Sequence, residues 1–148
     1  MNKAGGNAIS NPRARYDYEL DDELVVGIVL SGKETKALRQ GRGSLRGAFV
    51  SVYNAELYLT NAVVSDGKTF IIDEHDQTRS RKLLATKKQI KALIAAKDQG
   101  KTIVPLKLLT NGRYIKLIIA SGKGKKRYDK RESIKKRDQL RDAQRATI

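Results

Sequence analysis

Apolar positions along the chain fall mostly in short β-branched runs rather than at helical spacing. Residues 16–30 run into Leu-Val-Val-Gly-Ile-Val-Leu, too β-branched to favour helix and closed by Ser31-Gly32, and predict a strand. Residues 48–53 and 56–64 predict two more, joined as a hairpin across Asn54-Ala55. In the second of these Leu57, Tyr58 and Leu59 are consecutive, the pattern of a strand buried on both faces. Residues 102–109 and 113–120 flank Asn111-Gly112, a strong hairpin-turn signal, and Pro105 moves the first of them toward a sheet edge or a bulge. Two helices interrupt the strands. Ser31-x-x-Glu34 is a capping box opening residues 33–40, with Gly41 placed to close them. Thr86-x-x-Gln89 opens the second, whose Ile90, Leu93 and Ile94 form one face ahead of Gly100. Residues 65–82 read as a long polar loop. The pattern is that of a mainly β chain: a small antiparallel barrel of OB-fold type with inserted short helices.

Charge divides the chain. The 148 residues carry 31 Lys and Arg against 16 Asp and Glu, a net charge of +15. Residues 121–148 hold eleven of the bases and four of the acids, +7, which leaves +8 for the other 120 residues. This predicts three parts: a disordered N-terminus (1–12), a barrel (13–121), and a basic tail (122–148) whose Ile134 and Leu140 give too thin an apolar stripe to hold it on a core. The tail is expected to be disordered alone and helical against a polyanion. No segment approaches a membrane span, and the start has no apolar stretch of the signal-peptide kind, so a cytoplasmic location is expected.

Candidate catalysis is thin. There is no Cys and a single His, His75, which leaves little room for nucleophilic triads or zinc. Asp73, Glu74, His75 and Asp76 read as a polar loop, and no cofactor or metal is expected. Gly27-Ile-Val-Leu-Ser-Gly-Lys33 nearly spells a phosphate-binding P-loop, but Glu34 stands where the magnesium-binding hydroxyl is required. What remains is a polyanion binder. Lys36, Arg39 and Arg42 at near-helical spacing, with Gly41, Gly43 and Gly47, form either an RNA-facing surface or a solvated helix face. Glu34 is a capping residue or an acceptor for a base edge or ribose. Arg79-Ser-Arg81-Lys82 returns positive charge after the acidic loop. Lys123-Gly-Lys125-Lys126-Arg127-Tyr128-Asp129-Lys130-Arg131 has the composition of an RNA-stacking site, with Asp129 also a legitimate N-cap.

Several segments, in order, resemble the SmpB family of SsrA-binding proteins. They are Asn11-x-x-Ala14-Arg15-x-Asp17-Tyr18, Gly32-x-Glu34-x-Lys36-x-Leu38-Arg39-x-Gly41-Arg42, Arg79-x-Arg81-Lys82-Leu83-Leu84, Val104-Pro105-Leu106-Lys107-Leu108, and Gly124-Lys125-Lys126-x-Tyr128-Asp129-Lys130-Arg131. The chain departs from the family pattern at Tyr16 (usually His), Ser44 (often Asn), Gln77 and Ser80 (usually Pro), and through residues 65–78. The resemblance implies an oligonucleotide-binding barrel without enzyme activity. It implies binding of the tRNA-like part of transfer-messenger RNA and its delivery to ribosomes stalled on messages without a stop codon, the tail entering the empty message channel and decoding site. Together with the basic pattern it implies RNA contacts at Asn11, Arg13, Arg15, Glu34, Lys36, Arg39, Gly41, Arg42, Ser44, Arg81, Lys82, Leu106, Lys123, Lys125 and Lys126. It implies ribosome contacts at Tyr128, Asp129, Lys130, Arg131, Ile134, Lys135, Lys136 and Arg137. From charge and fold class alone, a ribosomal protein or ribosome-assembly factor binding structured RNA stays open as the alternative.

Overall fold

The computed structural model describes residues 8–125. Ten strands and four helices alternate in the order β1 (Ala8–Ser10), α1 (Ala14–Asp17), β2 (Tyr18–Leu20), β3 (Leu24–Ile28), α2 (Gly32–Arg39), β4 (Gly43–Ser44), β5 (Phe49–Tyr53), β6 (Glu56–Thr60), β7 (Val63–Val64), α3 (Glu74–Gln77), β8 (Arg81–Leu84), α4 (Lys87–Asp98), β9 (Thr102–Leu109) and β10 (Lys116–Gly124). The main sheet runs β1-β9-β10-β3-β8-β6-β5, with β2 also on β10, and a separate pair joins β4 to β7. Every pairing is antiparallel. The sheet curls until β5 packs beside β9, making a barrel around Leu45, Leu57, Leu83, Leu117 and Ile119. Burial of such side chains contributes about 1.5–3 kcal/mol each.

The strand expected over 16–30 is three elements. Asp21, Asp22 and Glu23 cannot be buried unpaired, so they loop out between β2 and β3 while both strands pair with β10. Residues 56–64 also break, at Asn61, whose φ of 66° turns the chain out of β6 and into β7. Leu57 and Leu59 point inward, but Tyr58 is only half-buried, so β6 alternates and is not buried on both faces. The β5–β6 turn has Asn54 and Ala55 at φ 51° and 59°, the mirror-image turn that suits a twisted hairpin.

Pro105 lies opposite Ile119 where the β9–β10 register shifts, so it sits at a bulge; β9 is flanked on both sides, by β1 and β10, and is not an edge. Both capping boxes form in full, and each long helix ends on a left-handed glycine, Gly41 or Gly100. Gly41 N–H reaches the Leu38 carbonyl and Arg42 N–H the Ala37 carbonyl, the paired bonds of a Schellman stop. Ile90 and Leu93 of α4 close over the core, and α1 covers a second apolar cluster of Ala14, Val104, Leu106 and Ala120. Ala8–Ser10, expected outside the body, pair with β9, and β10 carries the body past residue 121 to Gly124. Among the described residues no helix is long and apolar enough to cross a membrane.

Candidate nucleic-acid interface

Helix α2 organises the basic face, though not as its spacing predicts. Lys33 Nζ donates to the Ile71 carbonyl (3.1 Å), and Lys36 Nζ reaches Thr69 Oγ1 (3.4 Å) while lying 5.2 Å from the centre of the Phe70 ring. Arg39 donates to the carbonyls of Thr110, Gly112 and Arg113 at 3.0, 2.8 and 2.9 Å. The helix therefore laces two loops together, residues 69–71 on one side and the β9–β10 turn on the other. All three bases remain exposed. Arg42 is half-buried with its Nε on Gln40, and Ser44 Oγ accepts from the Arg46 N–H. Gly43 is required for another reason: a Cβ there would lie 2.5 Å from Leu38 Cδ2.

Glu34 and Arg81 are corrections to the surface expected from the sequence. Glu34 is 2% exposed and Arg81 fully buried, so both side chains are turned into the protein rather than out on its surface. Glu34 Oε2 accepts from Arg81 Nε (2.7 Å) and Arg79 Nε (3.0 Å), and Oε1 from Arg79 Nη2 (2.6 Å) and the Ser31 N–H (2.8 Å). The remaining donors of Arg81 go to the carbonyls of Ala62, Arg79, Asp76 and Gln77. A buried charge survives only when its lone pairs and protons are matched in this way. Burial pushes the Glu34 carboxyl up, but the bonds from Arg79, Ser31 and Arg81 outweigh it and hold it below the ordinary value. Glu34 is thus both the cap of α2 and the anchor of the 62–81 segment.

Leu106 is the third correction: it is packed under α1 with Ala14. Its carbonyl, displaced at the bulge, accepts from the Asn11 N–H (2.8 Å), while Asn11 Nδ2 donates to the Pro105 carbonyl (2.9 Å). Asn11 is half-buried and fixes the entry to α1. Arg13 lies 4.5 Å over the Tyr16 ring and pairs with Asp17 (3.3 Å); exposed Arg15 pairs with Glu23. Lys125 N–H reaches the Asp17 carbonyl and its Nζ the Arg15 carbonyl, tying the end of β10 to α1. Lys82, exposed on the outer side of β8, pairs with Glu56 at 3.5 Å, and Lys123 is exposed on β10. Asp21, bonded by Lys101 and Ser121, holds its carboxyl below the usual range. Lys126, Tyr128, Asp129, Lys130, Arg131, Ile134, Lys135, Lys136 and Arg137 lie outside the described residues. Among those described, Asp73 to Asp76 are exposed and no cluster of His, Cys, Asp and Glu is arranged to hold a metal.

Arg113 and Tyr114 were not among the residues expected to matter for the site, and Arg79 was expected only as part of a basic run. Arg79 had a signal, standing in the Arg-Ser-Arg-Lys run, but its partner lies 45 residues away. Tyr114 had a weaker one, an aromatic two residues past an Asn-Gly turn.

A curled antiparallel barrel with bases distributed over α1, α2 and a wholly cationic β9–β10 hairpin is a nucleic-acid-binding barrel of OB type. The particular family follows from comparison with known proteins. Residues 8–148 match the family model described as SmpB protein, and the chain belongs to that family. It is 43% identical to the SsrA-binding protein of Halalkalibacterium halodurans, covering 99% of this chain and 96% of that one. It is 40% identical to that of Bacillus subtilis, covering 99% and 95%. A solved chain from the structure "tmRNA-SmpB: a journey to the center of the bacterial ribosome" superposes with a TM-score of 0.68 and 35% identity, covering 86% of this chain and 94% of that one.

Proposed function

We propose that this protein is an RNA-binding adaptor of trans-translation. It binds the tRNA-like domain of transfer-messenger RNA and delivers it to ribosomes stalled on messages without a stop codon. The observation that carries this reading is family membership over residues 8–148, which takes in the basic segment as well as the barrel. The named relatives bind SsrA RNA and the solved neighbour is a complex with the ribosome, and the charge layout here suits both partners. The barrel offers the exposed bases Arg13, Arg15, Lys36, Lys82 and Lys123 and the half-buried Arg42 and Lys125 to phosphates, while Arg39 holds the β9–β10 turn. Asn11, Glu34, Gly41, Ser44, Arg81 and Leu106 shape the elements that carry them. Beyond the barrel, Lys126 adds to the contacts with the transfer-messenger RNA, and the segment from Tyr128 to Arg137 occupies the empty message channel of the ribosome. The protein performs no chemistry of its own and works in the cytoplasm.

The test has two stages. A mobility shift with the isolated tRNA-like domain should show binding that weakens steeply with salt. Peptide tagging in a reconstituted system stalled on a non-stop message should require the chain, and should be lost on truncation after Arg127 while RNA binding persists. Equal affinity for ribosomal RNA fragments and the tRNA-like domain, with no tagging, would overturn the reading.

A further inference from the structure

The β9–β10 turn is held more firmly than an exposed hairpin tip requires. Three carbonyls of this turn, those of Thr110, Gly112 and Arg113, accept from the one guanidinium of Arg39, and Gly112 takes a φ of +106° that lets the chain reverse there. The residue just past the clamp is Tyr114, 67% exposed, with the Arg113 guanidinium 5.5 Å from its ring centre. An exposed tyrosine is ordinary in itself. One set on a clamped turn, with a cation beside it, is a preformed platform, so little conformational freedom is lost when something flat is laid on it.

The surrounding charge says what that something is. From residue 99 to residue 128 the chain contains no Asp or Glu, and the hairpin carries Lys101, Lys107, Arg113 and Lys116. Among the described residues the other prominently exposed tyrosine, Tyr53, differs on each count: it packs edge-on against Tyr58, and Glu56 is its partner across the strand. A carboxylate there repels phosphate. We propose that Tyr114 stacks on an unpaired base of the bound RNA, with Arg113 beside it for the adjoining phosphate, and that Arg39 is the positioning residue that aims the ring. The inference rests on the RNA-binding reading above and deepens it. Tyr114 precedes β10, and Gly124 at the far end of that strand lies about 25 Å away along it. The stacked base belongs to the RNA held by the barrel and not to the ribosomal channel that takes the basic C-terminal segment.

The chain has no tryptophan, so Tyr114→Trp in the full-length protein gives a single tryptophan, excited apart from the tyrosines, at the proposed contact. Titration with the tRNA-like domain should quench its emission, with affinity within about threefold of wild type. Tyr114→Ala should weaken binding about tenfold, with an unchanged melting temperature, whereas Tyr53→Ala should bind as wild type does. Arg39→Lys, which cannot reach three carbonyls at once, should weaken binding in the wild-type background. It should add little in the Tyr114→Ala background, a coupling that two unconnected contacts would not show. Binding by Tyr114→Ala at wild-type affinity, or unaltered tryptophan emission while a mobility shift records complex, overturns the proposal. Failure of the wild-type protein to bind the RNA at all is a separate result and overturns the functional reading itself.

Discussion

At the N-terminal end of α2, Arg81 is fully buried and its whole guanidinium is satisfied by Glu34 and four carbonyls. At the C-terminal end, Arg39 is exposed and holds three carbonyls of a surface turn. The chemistry is the same, a forked cation gathering backbone acceptors, and the surroundings are opposite. Away from water each unmet donor or acceptor carries a full desolvation penalty, so the first end is committed to stability. In water the same bonds exchange with solvent at small cost, so the second end holds geometry with little net effect on folding. One helix thus joins a structural anchor to an adjustable surface.

The largest effect is expected from Arg81→Met. It leaves Glu34 with only Arg79 and the Ser31 N–H and leaves four carbonyls without the Arg81 donors, and should destabilise the protein by about 3–5 kcal/mol in urea melts. A change below 1 kcal/mol would mean that water enters the site and that the two ends of α2 are alike. Glu34→Gln comes next. Gln still closes the capping box on Ser31, so α2 keeps its start, but Arg81 loses its counter-charge and the protein should lose about 3 kcal/mol at neutral pH. The pH dependence follows from the lowered carboxyl. The folded state binds this proton less tightly than the unfolded chain, so the contribution is complete above the ordinary value of 4.5 and is lost as pH falls through the folded value. The gap between wild type and Glu34→Gln should therefore close in acid, which stability curves at successive pH values would show.

Arg39→Ala tests the other end and should lower stability by only about 1 kcal/mol. Loss as large as for Arg81 would make the turn part of the core fold rather than a surface fitting.

The two ends also differ in how far they could be read in advance. Both capping boxes and both glycine stops were legible, because each is a contact between residues within five positions of one another. The reversal at Asn111-Gly112 was legible too, although its loop spans residues 110–115 and β10 starts at Lys116 rather than at 113, and the barrel followed from the strand count. Glu34 and Arg81 lie 47 residues apart, and no local pattern joins them. One signal was present nonetheless. β8 alternates inward and outward, so Arg81 shares the face of Leu83, which is in the core, while Lys82 and Leu84 face out. Reading Arg81 and Lys82 as one phosphate-facing pair overlooked that period. Leu106 escaped because the bulge at Pro105 shifts the alternation of β9. Of the three bases read at helical spacing, Lys36 and Arg39 are exposed on α2 while Arg42 lies half-buried beyond its end, and the carbonyls that Arg39 holds are distant in sequence.

The smallest predicted effect separates the residues along that face. Lys36 is exposed, and its contact with Thr69 is long at 3.4 Å, leaving donors for a phosphate. Its replacement by Ala should change stability by less than about 0.5 kcal/mol. Binding of the tRNA-like domain should weaken modestly, and the slope of log affinity against log salt should fall by about 0.7–0.9, the signature of one lost phosphate contact. Arg39→Ala should act differently: affinity drops because the Tyr114 platform loosens, and the salt slope stays within error of wild type because the three acceptors of Arg39 are carbonyls and not phosphates. Salt titrations of the two variants decide the point. A slope lowered equally in both would mean that Arg39 leaves the turn to meet the RNA, and the distinction between a base that binds and a base that positions would not hold on this helix.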